Sequence, residues 1–177
     1  MEAIGKRSLK GWKMSYRVLI AGLGNIFLGD DGFGVEVVRR LSAEVLPDSV
    51  RVADFGIRAL HLAYDLLDGG YEKTILVDAA RMGDKPGTVY LIKPDIDTLF
   101  SDTNEFPDGH AMDFRALLRL VKSLGGKPGD IYVVGCEPLQ IQDEIGLSKP
   151  VADAVDEALR LIHELLAQLE QNRADHA

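Results

Sequence analysis

The stretch "AGLGNIFLGDDGFG", Ala21 to Gly34, decides how this chain is read. An apolar strand pattern from Tyr16 to Ala21 runs into closely spaced glycines and then a helical pattern. That is the outline of a strand-loop-helix turn, the place where many α/β proteins cradle a phosphate. Two features argue against a phosphate here. A Gly-x-Gly-x-x-Gly fingerprint needs glycine at position 27, which is Phe27, and the helix start carries the paired acids Asp30 and Asp31. Carboxylates at a helix N-terminus favour the helix dipole but repel an anion, so the turn invites a cation.

Working outward, strand-like runs rich in branched residues recur at Val50 to Asp54, Thr74 to Asp78, Thr88 to Ile92 and Ile131 to Gly135. Helical spacing joins Val35, Val38 and Leu41, then Leu60, Tyr64 and Leu67, then Phe114, Leu117, Leu118 and Val121. A final helix from "SKP" onward places Val151, Val155, Leu159, Ile162, Leu166 and Leu169 on one face before "EQNRADHA" frays. Alternation of apolar strands with amphipathic helices predicts a parallel sheet covered on both sides, an α/β fold. The link "AARMGDKPG" after Asp78 is too short and too rich in Gly and Pro for a crossover helix. The fourth strand is therefore expected to run antiparallel to the third, making the sheet mixed.

The chain has 177 residues, 46% of them hydrophobic, and a formal net charge of −8. That suits one domain, expected over 16–170, with a disordered basic tail at 1–15 and a polar tail at 171–177. The opening "MEAIGKRSLKGWKMS" has no apolar core or cleavage site, so it is not read as a secretory signal. No apolar run approaches the roughly 20 residues of a membrane span. Basic residues form no stripe, which leaves nucleic acid without electrostatic support as a partner. The single cysteine, Cys136, excludes an internal disulfide, and a cytoplasmic protein is expected.

Ligands of open α/β sheets sit beyond the carboxyl ends of the parallel strands. Asp30 and Asp31 follow the first strand, and Asp78 closes the third. The helix from Ala111 to Leu124 feeds a fifth strand parallel to the first, so His110 precedes it at the same edge. Asp31, Asp78 and His110 are thus expected on one rim, as ligands with open positions left for a divalent transition metal such as zinc or nickel. For Asp30 the commoner role of an N-cap is preferred. Cys136 reads as a small core residue, not a nucleophile, and His61, His163 and His176 as solvated. A dinucleotide-binding domain using Asp54 on a ribose hydroxyl stays open as another reading, disfavoured by Phe27.

In order, "GLGNIFLGDDGFG", "ILVDAA", "GHAMD" and "VVGCEPLQIQDEIGLS" resemble the successive motifs of the hydrogenase maturation proteases, over about Arg17 to Leu169. These endopeptidases trim the carboxy-terminal extension of the large subunit of nickel-iron hydrogenases. The resemblance implies a helix-flanked five-stranded mixed sheet, a three-layer α/β/α sandwich. It also implies nickel-sensing ligands at Asp31, Asp78 and His110, the nickel being carried by the large-subunit precursor, with the protein alone monomeric and either metal-free or holding a surrogate ion. Asp31 stands where members often have glutamate, which shortens that ligand by one methylene. "DFGIR", Asp54 to Arg58, stands where many have an Asp-Gly-Gly-Thr-like turn. A general base is left open between Asp30 and Asp78, and a non-catalytic assembly chaperone is the other role weighed.

Overall fold

The computed structural model describes residues 17–95, 114–126 and 128–174. The apolar runs form β1 (Val18–Leu23), β2 (Val50–Gly56), β3 (Lys73–Ala79), β4 (Val89–Ile92) and β5 (Asp130–Cys136). Between them lie α1 (Phe33–Leu41), α2 (Ala59–Asp68), α3 (Phe114–Ser123) and α4 (Lys149–Ala174). The strands order β2-β1-β3-β5-β4 in one sheet. Pairings β1–β2, β1–β3 and β3–β5 are parallel and β4–β5 is antiparallel, so the sheet is mixed and mostly parallel, as expected. β4 does run against β3, but it is not its neighbour, because β5 inserts between them.

Side-chain alternation sorts the two faces of the sheet. Val18, Ile20, Ile75, Val77, Val134 and Cys136 pack with α1 and α4. Leu19, Ala21, Leu23, Leu76, Ile131 and Val133 pack with α2 and α3 on the opposite face. The result is three layers. The expected faces of α3 and α4 are the buried ones, Phe114 to Val121 and Val151 to Leu169. α4 continues helical to Ala174, past the point where "EQNRADHA" was expected to fray.

Two helix faces differ from expectation. In α1, Val37 is buried with Val38 and Leu41, while Val35 is only partly covered. In α2, Leu60 and Tyr64 are exposed, and Ala59, Leu62, Ala63 and Leu66 face the sheet. The two alanines allow close approach of helix to strand, which a stripe chosen for bulk overlooks.

Glycine sets how near α1 comes to the sheet. A Cβ on Gly34 would overlap the carbonyl oxygens of Val77 and Leu23, so the start of α1 lies directly on the ends of β1 and β3. Gly34→Ala is expected to lower unfolding free energy by about 2 kcal/mol or more, since backbone on both neighbouring strands must shift. Urea denaturation of the purified variant measures it.

Candidate functional site

The order β2-β1-β3 places the reversal of strand order between β1 and β3. α1, which leaves β1, packs on one face, and α2 on the other. A crevice opens where such connections part to opposite faces, at the carboxyl ends of the strands. Both described acids of the expected trio lie at this edge. Asp31 lies in a 3₁₀ turn, Gly29–Gly32, between β1 and α1, and this turn packs against β3. Asp78 sits at the end of β3, buried and opposite Gly135 of β5. It follows Thr74 and Leu76 along the strand, which puts it on the α2–α3 face.

Asp31 Oδ2 accepts the Asn25 N–H at 2.7 Å. Gly24, at φ 118°, has no room for a Cβ beside the Asp31 carbonyl, so the loop closes tightly on itself. Burial raises the Asp31 carboxyl above the ordinary aspartate value, opposed by the Asn25 hydrogen bond. Such a carboxylate is desolvated in advance and gains by meeting a cation.

His110 lies outside the described residues. α3 does begin at the expected edge: β5 is parallel to β1, and Gly129, leading into β5, is packed against Glu72 at the opposite edge. Among the described residues no group of three His, Cys, Asp or Glu side chains is arranged to hold a metal ion.

Asp30 departs from expectation. Neither the 3₁₀ turn nor α1 has a side-chain cap. The Asp30 carboxylate points inward, fully buried. It accepts the Leu139 and Gln140 N–H groups at 2.8 and 3.1 Å, the Ser148 N–H at 2.7 Å and the Ser148 hydroxyl at 2.9 Å. With its oxygens engaged and away from solvent, it is not a general base. The paired acids therefore divide their work: Asp30 binds a distant loop, and Asp31, half-buried, closes its own loop through Asn25.

Glu137 was not singled out by the sequence reading. Its Oε2 accepts the N–H groups of Met82, Gly83 and Asp84 at 2.7, 3.0 and 3.4 Å, and the Tyr90 hydroxyl at 2.9 Å. Burial alone would raise its carboxyl, but the Met82, Tyr90, Asp84 and Gly83 donors outweigh it and hold the value below the usual glutamate range. The Glu137 carboxylate orders the β3–β4 turn beside Asp78. Cys136 is buried, and desolvation, with Asp30 and Glu137 adding repulsion, pushes its thiol up to about 12. It is a core residue, as expected. His163 pairs with Glu44 at 2.8 Å well along α4, and His61 is exposed in the first turn of α2.

A mixed sheet covered by helices on both faces, with Asp31 and Asp78 at the edge where its strand order reverses, defines the class as a three-layer α/β protein. The comparisons are specific. Residues 35–165 match the hydrogenase maturation protease family. A putative hydrogenase maturation protease of Methanocaldococcus jannaschii is 37% identical over 148 residues, 82% of this chain and 93% of that protein. A hydrogenase 2 maturation peptidase from a Thaumarchaeota archaeon has a solved structure with a TM-score of 0.65 and 33% identity, covering 85% of this chain and 98% of the other. The hydrogenase maturating endopeptidase HybD of Escherichia coli superposes with a TM-score of 0.71 at 28% identity, covering 88% and 93%. The chain belongs to the hydrogenase maturation protease family and is a peptidase. No helix among the described residues is long and apolar enough to cross a membrane.

Two substitutions test the buried carboxylates. Asp30→Asn keeps the shape but turns an amide NH₂ toward backbone N–H donors, and is expected to cost about 2 kcal/mol or more in urea unfolding. Glu137 has its native value depressed, so its stabilisation is complete above the unfolded-state value, roughly 4.3, and is lost as pH falls through the native one. The stability gap between wild type and Glu137→Gln is therefore expected to be large at neutral pH and to narrow in strong acid, as followed by thermal melts across pH.

Proposed function

We propose that this peptidase removes the carboxy-terminal extension of a nickel-iron hydrogenase large-subunit precursor after nickel insertion, sensing the nickel through Asp31, Asp78 and His110. The observation that supports the reading is the placement of Asp31, in the turn after β1, and Asp78, at the end of β3, at the same edge of two neighbouring parallel strands, with α3 packed on the face that bears Asp78. The nickel is cargo of the client. Two carboxylates and an imidazole suit it and leave positions open for the client's own ligands.

In such a complex the ion polarises the scissile carbonyl or acidifies a bound water. Water oxygen adds to the carbonyl carbon, the C–N bond breaks and the leaving amine takes up a proton. With Asp30 committed to hydrogen bonds, Asp78 is the remaining candidate base among the two acids first considered. The protein acts alone on its client, in the cytoplasm, where large-subunit precursors are assembled.

Incubation of the protein with nickel-loaded precursor is expected to shorten the large subunit, and nickel-free precursor to stay intact, as read by mass spectrometry. Asp31→Ala, Asp78→Ala and His110→Ala are each expected to slow cleavage about a hundred-fold or more, the scale of losing part of a metal's several-kcal/mol contribution. Binding of the precursor without shortening would make the protein a chaperone instead, and wild-type rates in all three variants would remove the site.

A further inference from the structure

Beside the crevice two loops are joined into one edge. The Gly29 N–H donates to the Glu144 carbonyl at 2.7 Å, and the Glu144 N–H to the Phe27 carbonyl at 3.0 Å. Leu28 and Glu144 form a parallel bridge, and the Asp30 N–H reaches the Gln140 carbonyl at 3.3 Å. The Asp30 carboxylate completes the joint through Leu139, Gln140 and Ser148. This is a rigid structure with its backbone groups paired internally. Four of the side chains it exposes are large and apolar: Ile26 is 47% exposed, Phe27 60%, Leu139 53% and Ile145 78%. Each lies within two residues of a hydrogen bond that joins the loops. Large apolar side chains held rigidly in water beside a reaction site mark a binding surface.

We propose that this lip, formed by Ile26, Phe27, Leu139 and Ile145, seats the stretch of client polypeptide adjoining the bond to be cut. The inference rests on the peptidase reading above and adds where the peptide lies. An endopeptidase must hold chain on either side of the scissile bond. Asp31 follows this lip in sequence by four residues from Phe27, so a chain delivered to Asp31 passes over or beside it. The exposed acids Asp143 and Glu144 border the lip. They repel an acidic segment, and the occupant is accordingly apolar with no acidic side chains where it crosses. The Asp30 carboxylate is a positioning residue for this surface, because it fixes the loop that carries Leu139 and Ile145.

The test uses the full-length protein and nickel-loaded precursor with the double variant Phe27→Ser, Ile145→Ser. Both positions are exposed, so the melting temperature is expected to stay at the wild-type value. KM for the precursor is expected to rise about ten-fold or more with kcat little changed, the scale of removing a binding hot spot. The dissociation constant for the uncleaved precursor, measured by titration, should rise in parallel. Unchanged KM and dissociation constant, with wild type cleaving normally, would overturn the lip and leave the peptidase reading intact. Failure of wild type to cleave would overturn the nickel-dependent reading, and the titration would still decide the lip. A concentration-dependent dimer of the wild type that the double variant abolishes would make the lip a contact between copies and also overturn the proposal. A client whose segment beside the cut carries a new aspartate is expected to lose affinity for the wild type.

Discussion

A carboxylate buried without a cationic partner is costly unless hydrogen bonds replace its water, and Asp30 is in that position. The donors that replace water come from a segment more than a hundred residues away, between Leu139 and Ser148. Together with the backbone pairing of Gly29 and Phe27 to Glu144, these bonds hold the two loops in register. Once Asp30 is turned inward, Asp31, the next residue of a 3₁₀ turn, points elsewhere. The doubled acid is thus one anchor and one exposed edge, and the direction of the second follows from satisfying the first.

The anchor acts on a frame set by close backbone contact. Gly22 and Gly34 let α1 lie on the sheet where β1 and β3 end, and Gly24 lets the first loop fold back on Asp31. Larger residues there would lift the turn away from β3 and separate Asp31 from the strand that ends in Asp78. On the other side of that strand, Glu137 performs for the β3–β4 turn what Asp30 performs for the late loop. Two buried carboxylates, each collecting neutral donors, hold the loops on either side of Asp31 and Asp78. Among the described residues, the hydrogen bonds given for both anchors come from backbone N–H and hydroxyl groups.

The strands and the faces of α3 and α4 were legible because bulk and period agreed in them. The direction of β4 was legible from a link too short to cross the sheet. Its neighbour was not, since the insertion of β5 between β3 and β4 is a long-range pairing that no local pattern encodes. In α2 two stripes competed, and the alanines of the buried one carry little signal by size. Topology alone brought Asp31 and Asp78 to one edge, but the inward turn of Asp30 depends on partners at Leu139, Gln140 and Ser148 that sequence spacing does not connect. Glu137 carries no signal of its own in the sequence, because its role depends on N–H groups presented by a turn around Gly83. The third member of the trio, His110, falls outside the described residues.

The same arrangement bears on how such a peptidase avoids cutting the wrong chain. Its described residues hold no ready nucleophile: the Cys136 thiol is buried and its ionisation suppressed, and the Ser148 hydroxyl donates to Asp30 with no histidine beside it. The Asp31 carboxyl, desolvated by burial and held by the Asn25 N–H, stands to gain from a cation brought to it. On the proposed reading, discrimination is then shared. The ion reports that the client is loaded, the apolar lip reports that the right stretch of chain has been presented, and neither contact alone supplies both the charge and the positioning that hydrolysis of an amide requires.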